Sequence, residues 1–251
     1  MKISVEVVAY SIESAMHAQQ GGADRVELCD NPAEGGTTPS LGVMEIVRQA
    51  LSIDVFAMIR PRGGDFVYSA YEYHAMKRDI EMAKRASLDG VVLGILKPDG
   101  RIDTERCRKL IEAARPLQVT CHRAFDFTRD AFEALDDCIA AGFNRILTSG
   151  RQPTALEGAD VIRRLVQRSH GRISIMAGAG IRAAHVAEVI RATGVTEVHS
   201  SARSLQPGVH ASFNHLISLT DTLPPGFNRW TADTEQVKAL RSVVDGLKLD
   251  G

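Results

Sequence analysis

"ISVEVVAYSIESAMHAQQGGADRVELC" runs from Ile3 to Cys29 and holds two apolar segments with a helical one between them. "ISVEVVA" (Ile3 to Ala9) reads as a strand, its apolar residues alternating or running together. "SIESAMHAQQGGA" reads as a helix. Ser11 is placed to cap its N-terminus, Glu13 and Ser14 fall in the first turn, and Gly21 and Gly22 stop it. "DRVELC" is the next strand. A helix between two such strands implies parallel pairing, because the helix is the crossover between neighbours.

The same unit then repeats. "SLGVMEIVRQAL" is a helix before "DVFAMI", and a long helical stretch from Ala70 to Ser87 precedes "GVVLGIL". "DTERCRKLIEAAR" precedes "QVTCH", "RDAFEALDDCIAAG" precedes "NRILTS", and a helix through "DVIRRLVQRS" precedes "RISIMA". "RAAHVAEVIRATG" leads to a last short strand, "TEVHSS". With a final helix in the tail, the pattern is eight strand–helix alternations. The expected fold is α/β, a (β/α)8 TIM barrel in one domain spanning 1–251. An open doubly wound sheet is the alternative, but no GxGxxG follows the first strand.

After residue 203 the rhythm breaks. "SLQPGVHASFNHLISLTDTLPPGFNRWTADTEQ" carries Pro, Gly and polar residues, so an irregular arm is expected over 203–235, before the helix "TEQVKALRSVVDGL". Such an arm covers the barrel mouth or reaches a neighbouring subunit, and the sequence leaves both open.

Thirty basic residues balance 31 acidic ones, for a net charge of −1. That balance argues against nucleic acid or anionic lipid as the main partner. The apolar stretches are shorter than a membrane span, and "MKISVEVVAY" opens like a strand rather than a signal peptide, so no membrane partner and a cytoplasmic location are expected. Four cysteines (Cys29, Cys107, Cys121, Cys138) make no disulfide framework, and the lack of CxxC argues against structural zinc.

In this fold the functional groups stand at the C-terminal ends of the strands. Glu6 and Glu27 lie inside apolar strands, where a carboxylate needs a partner or a function. A structural Glu–Arg pair is the competing reading. The third strand ends in "IRPRGGDF", with Arg60, and the fifth runs without a spacer into "HRAFDFT", with His122, Arg123 and Asp126. Arg60 and Arg123 are permanently charged forks suited to carboxylate or phosphate. His122 is a candidate general acid or base, with Asp126 to orient it or to ligate a metal. Cys121 alternates with His122 and points behind the strand. The later strand ends, "LTSG", "AGAGI" and "HSSA", offer Ser149, Gly150, Gly178, Gly180, Ser200 and Ser201 as a phosphate cradle. A tight turn that merely needs glycine is the plainer reading of the same residues.

"GGADRVELCDNPAEGGTTPSLGV", "IRPRGGDFVYS", "HRAFDFT", "LTSG", "AGAGI" and "EVHSSA" occur in this order at strand ends. Together they resemble the CutC family, often labelled copper homeostasis proteins, over residues 3 to 204. The resemblance implies a cytoplasmic, usually dimeric (β/α)8 barrel associated with copper tolerance. It also implies copper(I) ligation by a cysteine pair at the ends of strands one and two. Cys29 matches the second of these positions as a metal ligand, and Val8 stands at the first, which breaks the soft pair. Two functions follow: copper handling through Cys29, or an enzyme of unassigned reaction acting on a small anionic or phosphorylated molecule. A homodimer is expected with either.

Overall fold

The computed structural model describes residues 2–209 and 227–247. Eight parallel strands close into a barrel in chain order: β1 (Ser4–Ala9), β2 (Arg25–Leu28), β3 (Asp54–Met58), β4 (Gly90–Leu93), β5 (Gln118–Cys121), β6 (Arg145–Thr148), β7 (Ser174–Ala177) and β8 (Glu197–Ser200). The helices α1 (Ile12–Gln20), α2 (Leu41–Ala50), α3 (Ala70–Arg85), α4 (Thr104–Ala114), α5 (Ala131–Ala141), α6 (Ala159–Ser169) and α7 (Val186–Thr193) lie between successive strands. This is the (β/α)8 TIM barrel, and closure rules out the open sheet. β8 pairs with β1, with Glu6 opposite His199.

The sequence encodes the helix boundaries locally. The Ser11 hydroxyl accepts the Ser14 N–H at 3.1 Å, and Ser69 and Glu72 form a reciprocal capping box at the start of α3. The last helix, α8 (Thr234–Asp245), shuts the barrel against its first unit. A Cβ on Gly21 would lie 2.4 Å from Cβ of Val237, so glycine is needed for the close approach of α8. Arg241 of α8 bridges to Asp24 at 2.8 Å, and Asp24 in turn accepts the Val5 N–H at 2.9 Å.

The expectation of an irregular arm needs correction at its ends. β9 (Arg203–Gln206) and β10 (Arg229–Ala232) form an antiparallel ribbon tied to α1, where Ala232 N–H donates to the Ser14 hydroxyl. Backbone pairing, rather than a hydrophobic pattern, makes these strands. Positions 210–226 of that arm lie outside the described residues.

Strand alternation splits the apolar interior in two. The larger core lies between the strands and the helices and includes Cys107, Cys121 and Cys138, so Cys121 does point behind its strand. Each fully buried Leu or Ile there contributes about 1.5–3 kcal/mol. The smaller core lies inside the barrel and contains Val8, Cys29, Phe56, Met58 and Val92. Phe56 fills the space left by Gly90, where a Cβ would sit 2.5 Å from its ring.

Below Phe56 the barrel is closed by charge. Arg25 pairs with Glu6 and, at 2.7 Å, with Glu197, which also binds Arg145. Both guanidinium groups lie near the Phe56 ring, at 4.9 and 5.5 Å from its centroid. This plug fills the barrel interior below Phe56, and the site lies at the opposite, C-terminal end.

Candidate functional site

Glu6, Glu27 and His199 come from three strands made neighbours by barrel closure. Glu6 points inward from β1 and is fully buried. Its two oxygens are both engaged, one by Arg25 and the other by Nδ1 of His199 at 2.8 Å. Burial opposes its charge, but Arg25 and His199 outweigh it and hold the carboxyl down to about 2. Glu6 is therefore an anion that orients the imidazole.

Glu27 is placed differently. One oxygen lies 3.7 Å from Nε2 of His199, too far for a hydrogen bond, and the other is buried with no partner. Burial pushes the Glu27 carboxyl up to about 7, Glu6 adds to the rise, and His199 opposes it. For His199, burial disfavours the cation, yet Glu27 and Glu6 prevail and raise its affinity for a proton. The titrations of Glu27 and His199 are therefore linked, each favouring the charged form of the other.

Glu27 and His199 line a cavity of about 840 Å³ at the C-terminal end of the barrel, and Glu6 holds His199 from behind it. Its walls carry Lys97, Arg60, Arg123, Arg182 and Arg203, along with Tyr10, Phe66 and Phe127. The acidic residues on the wall are engaged: Asp65 pairs with Arg62, and Glu34 accepts the Gly64 N–H. The mouth is cationic above an acid–imidazole floor.

The fifth-strand residues expected to act together are separated by the structure. Asp126 does not touch His122. It pairs with Arg123 at 2.8 Å and accepts hydrogen bonds from Thr148, Ser149 and the Arg151 N–H, which fixes the corner after β6. His122 lines the cavity, where burial, then Arg60, lowers it to about 3, so it stays neutral. Its Nδ1 accepts the Ala124 N–H, which assigns the ring proton to Nε2. Arg60 is 6% exposed and clamped by the carbonyls of Glu34, Gly36 and Gly64.

The expected phosphate cradle is smaller than the sequence suggests. Gly180, Ser200 and Ser201 line the cavity beside Arg182 and Arg203. Ser200, however, donates to the Ile181 carbonyl at 2.7 Å and accepts from Ala202, as a loop staple. Gly178 makes room for Leu147, 2.4 Å from where a Cβ would stand. Ser149 binds Asp126 and the Gln152 carbonyl, and Gly150, at φ +68°, packs on Gly158. These last three hold turns together instead of lining the cavity.

His199 is the residue that sequence reading missed. The available signal was the i, i+2 pair Glu197 and His199 in "TEVHSS", both on the face that turns inward beside Glu6. Arg25 was missed for the same reason, two residues before Glu27.

A metal is the other use for such a cluster, since donor atoms of Glu6, Glu27 and His199 all fall within 4.8 Å of one another. Both Glu6 oxygens are already committed, which leaves one carboxylate and one imidazole nitrogen. That is short of the three protein ligands of a typical catalytic zinc site. Cys29 packs inside the barrel two residues beyond Glu27, 2% exposed, and burial followed by the charges of Glu27 and Glu6 raises its thiol well above the usual range.

Comparison with known proteins agrees with this architecture. The CutC family matches residues 3–204. The human protein named copper homeostasis protein cutC homolog is 43% identical over 97% of this chain and 89% of its own length. A family protein CutC of Chromobacterium violaceum is 44% identical over 96% of this chain and 98% of its own. The crystal structure of a CutC protein from Streptococcus agalactiae superposes with a TM-score of 0.76 at 38% identity, over 79% of this chain and 98% of that one.

Proposed function

This chain belongs to the CutC family, and from that premise we propose that it is an enzyme moving a proton on a small anionic substrate at the barrel mouth. The observation that carries the reading is the Glu6–His199–Glu27 array, with Nε2 and a Glu27 oxygen 3.7 Å apart at the cavity floor. Glu6 holds Nδ1 and leaves Nε2 facing Glu27 and the cavity. Glu27 takes a proton from the substrate, and His199, its proton affinity raised by the two carboxylates, returns one. The Lys97, Arg123, Arg182 and Arg203 side chains draw in the anion, and Gly180 and Ser201 offer small, close surfaces for a phosphoryl group. Positioned acid–base groups of this kind contribute roughly 10²–10⁴-fold to rate.

The test is deuterium incorporation by NMR when the full chain is incubated in D2O with a panel of small phosphorylated ketones and carboxylates. Wild-type protein should exchange at least one compound, and Glu27→Gln should be slower by about 10²-fold. Equal exchange by both proteins would overturn the assignment.

A second reading, copper handling in the cytoplasm, is favoured by the names of the relatives and by Cys29 beside the floor. The residues present do not suit copper(I) as a resident group. Val8 takes the place of a second thiol, the Cys29 thiol is kept protonated, and the remaining donors are carboxylate and imidazole. If copper(I) titration shows tight binding that Cys29→Ser abolishes, and no compound exchanges, this second reading replaces the first. A homodimer is part of the proposal. Leu205 and Trp230 expose apolar area on the β9–β10 ribbon, and sedimentation would read the association.

A further inference from the structure

Just past the ends of β3 and β5, two residues that line the cavity each keep a buried donor. Arg60 Nε and His122 Nε2 are buried and make no hydrogen bond, although the other Arg60 nitrogens are satisfied by carbonyls. An orphaned buried donor costs about 1–3 kcal/mol, so two together at a cavity wall need an explanation. Among the described residues no carboxylate lies within ion-pair distance of Arg60, which therefore brings an uncompensated positive charge to the site.

The surrounding chain is shaped to hold this pair. β4 lies between β3 and β5, and at its end a Cβ on Gly94 would come within 2.8 Å of the His122 ring. Glycine there lets the imidazole lean across β4 toward Arg60. The Phe66 ring packs on both groups, 5.0 Å from the His122 ring and 4.9 Å from the Arg60 guanidinium carbon, and Phe127 backs it at 5.7 Å. With Nδ1 accepting from Ala124, Nε2–H is a fixed donor.

We propose that Arg60 Nε–H and His122 Nε2–H form a dry two-donor subsite for a carboxylate or enolate oxygen of the ligand, roofed by Phe66. The substrate class thereby narrows to small carboxylates or carbonyl compounds whose oxygen gains negative charge. This rests on the reading of the mouth as a substrate site. A ligand oxygen reaches the donors when Phe66, carried on the loop between β3 and α3, turns aside. In a water-poor site such donors stabilise developing charge far better than in bulk water.

The experiment is calorimetric titration of the full chain with oxalate, a compact carboxylate probe, alongside inorganic phosphate. Oxalate should bind the wild type, and His122→Phe, which keeps the ring volume and loses the donor, should bind it at least ~10-fold more weakly. Arg168→Gln, which loses only an exposed pair with Asp136 outside the cavity, should bind oxalate as wild type does, and because binding is read without turnover a failure of the proton-transfer reading leaves this arm readable. Should His122→Phe not fold, ¹⁵N NMR of histidine-labelled wild type replaces it. Oxalate should then shift Nε2 of the histidine that stays neutral down to pH 5. The proposal is overturned if oxalate affinity is unchanged in His122→Phe, if that resonance does not move, or if only phosphate binds.

Discussion

At the lower end of the barrel interior, Arg25, Arg145, Glu6 and Glu197 satisfy one another. At the upper end, Glu27, Arg60 and His122 each keep a buried polar atom without a partner. Both ends use arginine and glutamate, but only β2 contributes to both, with Arg25 below and Glu27 above. The lower groups meet as opposite charges in direct contact, with Ser174, Thr120 and Met176 taking up the remaining capacity. Arg60 is held by backbone carbonyls and His122 by the Ala124 amide, and each of the three upper groups retains one buried atom without a hydrogen bond. A completed network serves the fold, whereas an incomplete one at a cavity wall is available to a ligand.

The sharpest way to break this contrast is Arg25→Met. It leaves Glu6 and Glu197 buried beside an apolar chain and should cost about 3–5 kcal/mol in urea unfolding. A loss under 1 kcal/mol would mean that the plug is not structural.

Acid titration probes the same region. Glu6 ionises in the folded chain at about 2 but at 4.5 ordinarily. Its contribution is therefore fully present above pH 4.5 and disappears as the pH falls toward 2. Urea midpoints followed over that range should show a loss on the order of 3 kcal/mol, absent from Glu6→Gln.

Glu27→Gln should behave in the opposite way. The folded chain holds the Glu27 proton up to about 7, so ionising this carboxyl opposes folding as pH rises from 4.5. The amide should match or exceed the wild-type stability in urea unfolding at pH 8, by up to about 3 kcal/mol. A clear destabilisation would move Glu27 into the structural group. Cys29→Ser is expected to have the smallest effect, within about 1 kcal/mol, because its thiol packs as a small apolar group inside the barrel.

The alternating and 3.6-residue patterns carried most of the fold, down to the Ser11 cap and the glycines ending the first helix. Glu6 and Glu27 were legible too, because a carboxylate inside an apolar strand is conspicuous. His122 was legible as a mouth residue, but the burial and the neighbouring Arg60 that keep it neutral are not local features. The Asp126 partnership was misread for a similar reason: its partners Thr148 and Ser149 arrive on the next strand, not in "HRAFDFT".

Periodicity is a property of consecutive residues, so the sequence by itself determined the strands, the helices and their parallel closure. Pairing of charges is decided by contact over a few ångströms, and only the closed barrel brings His199 to Glu6 across 193 positions of chain. The same closure settled which polar atoms were satisfied and which were left open at the mouth.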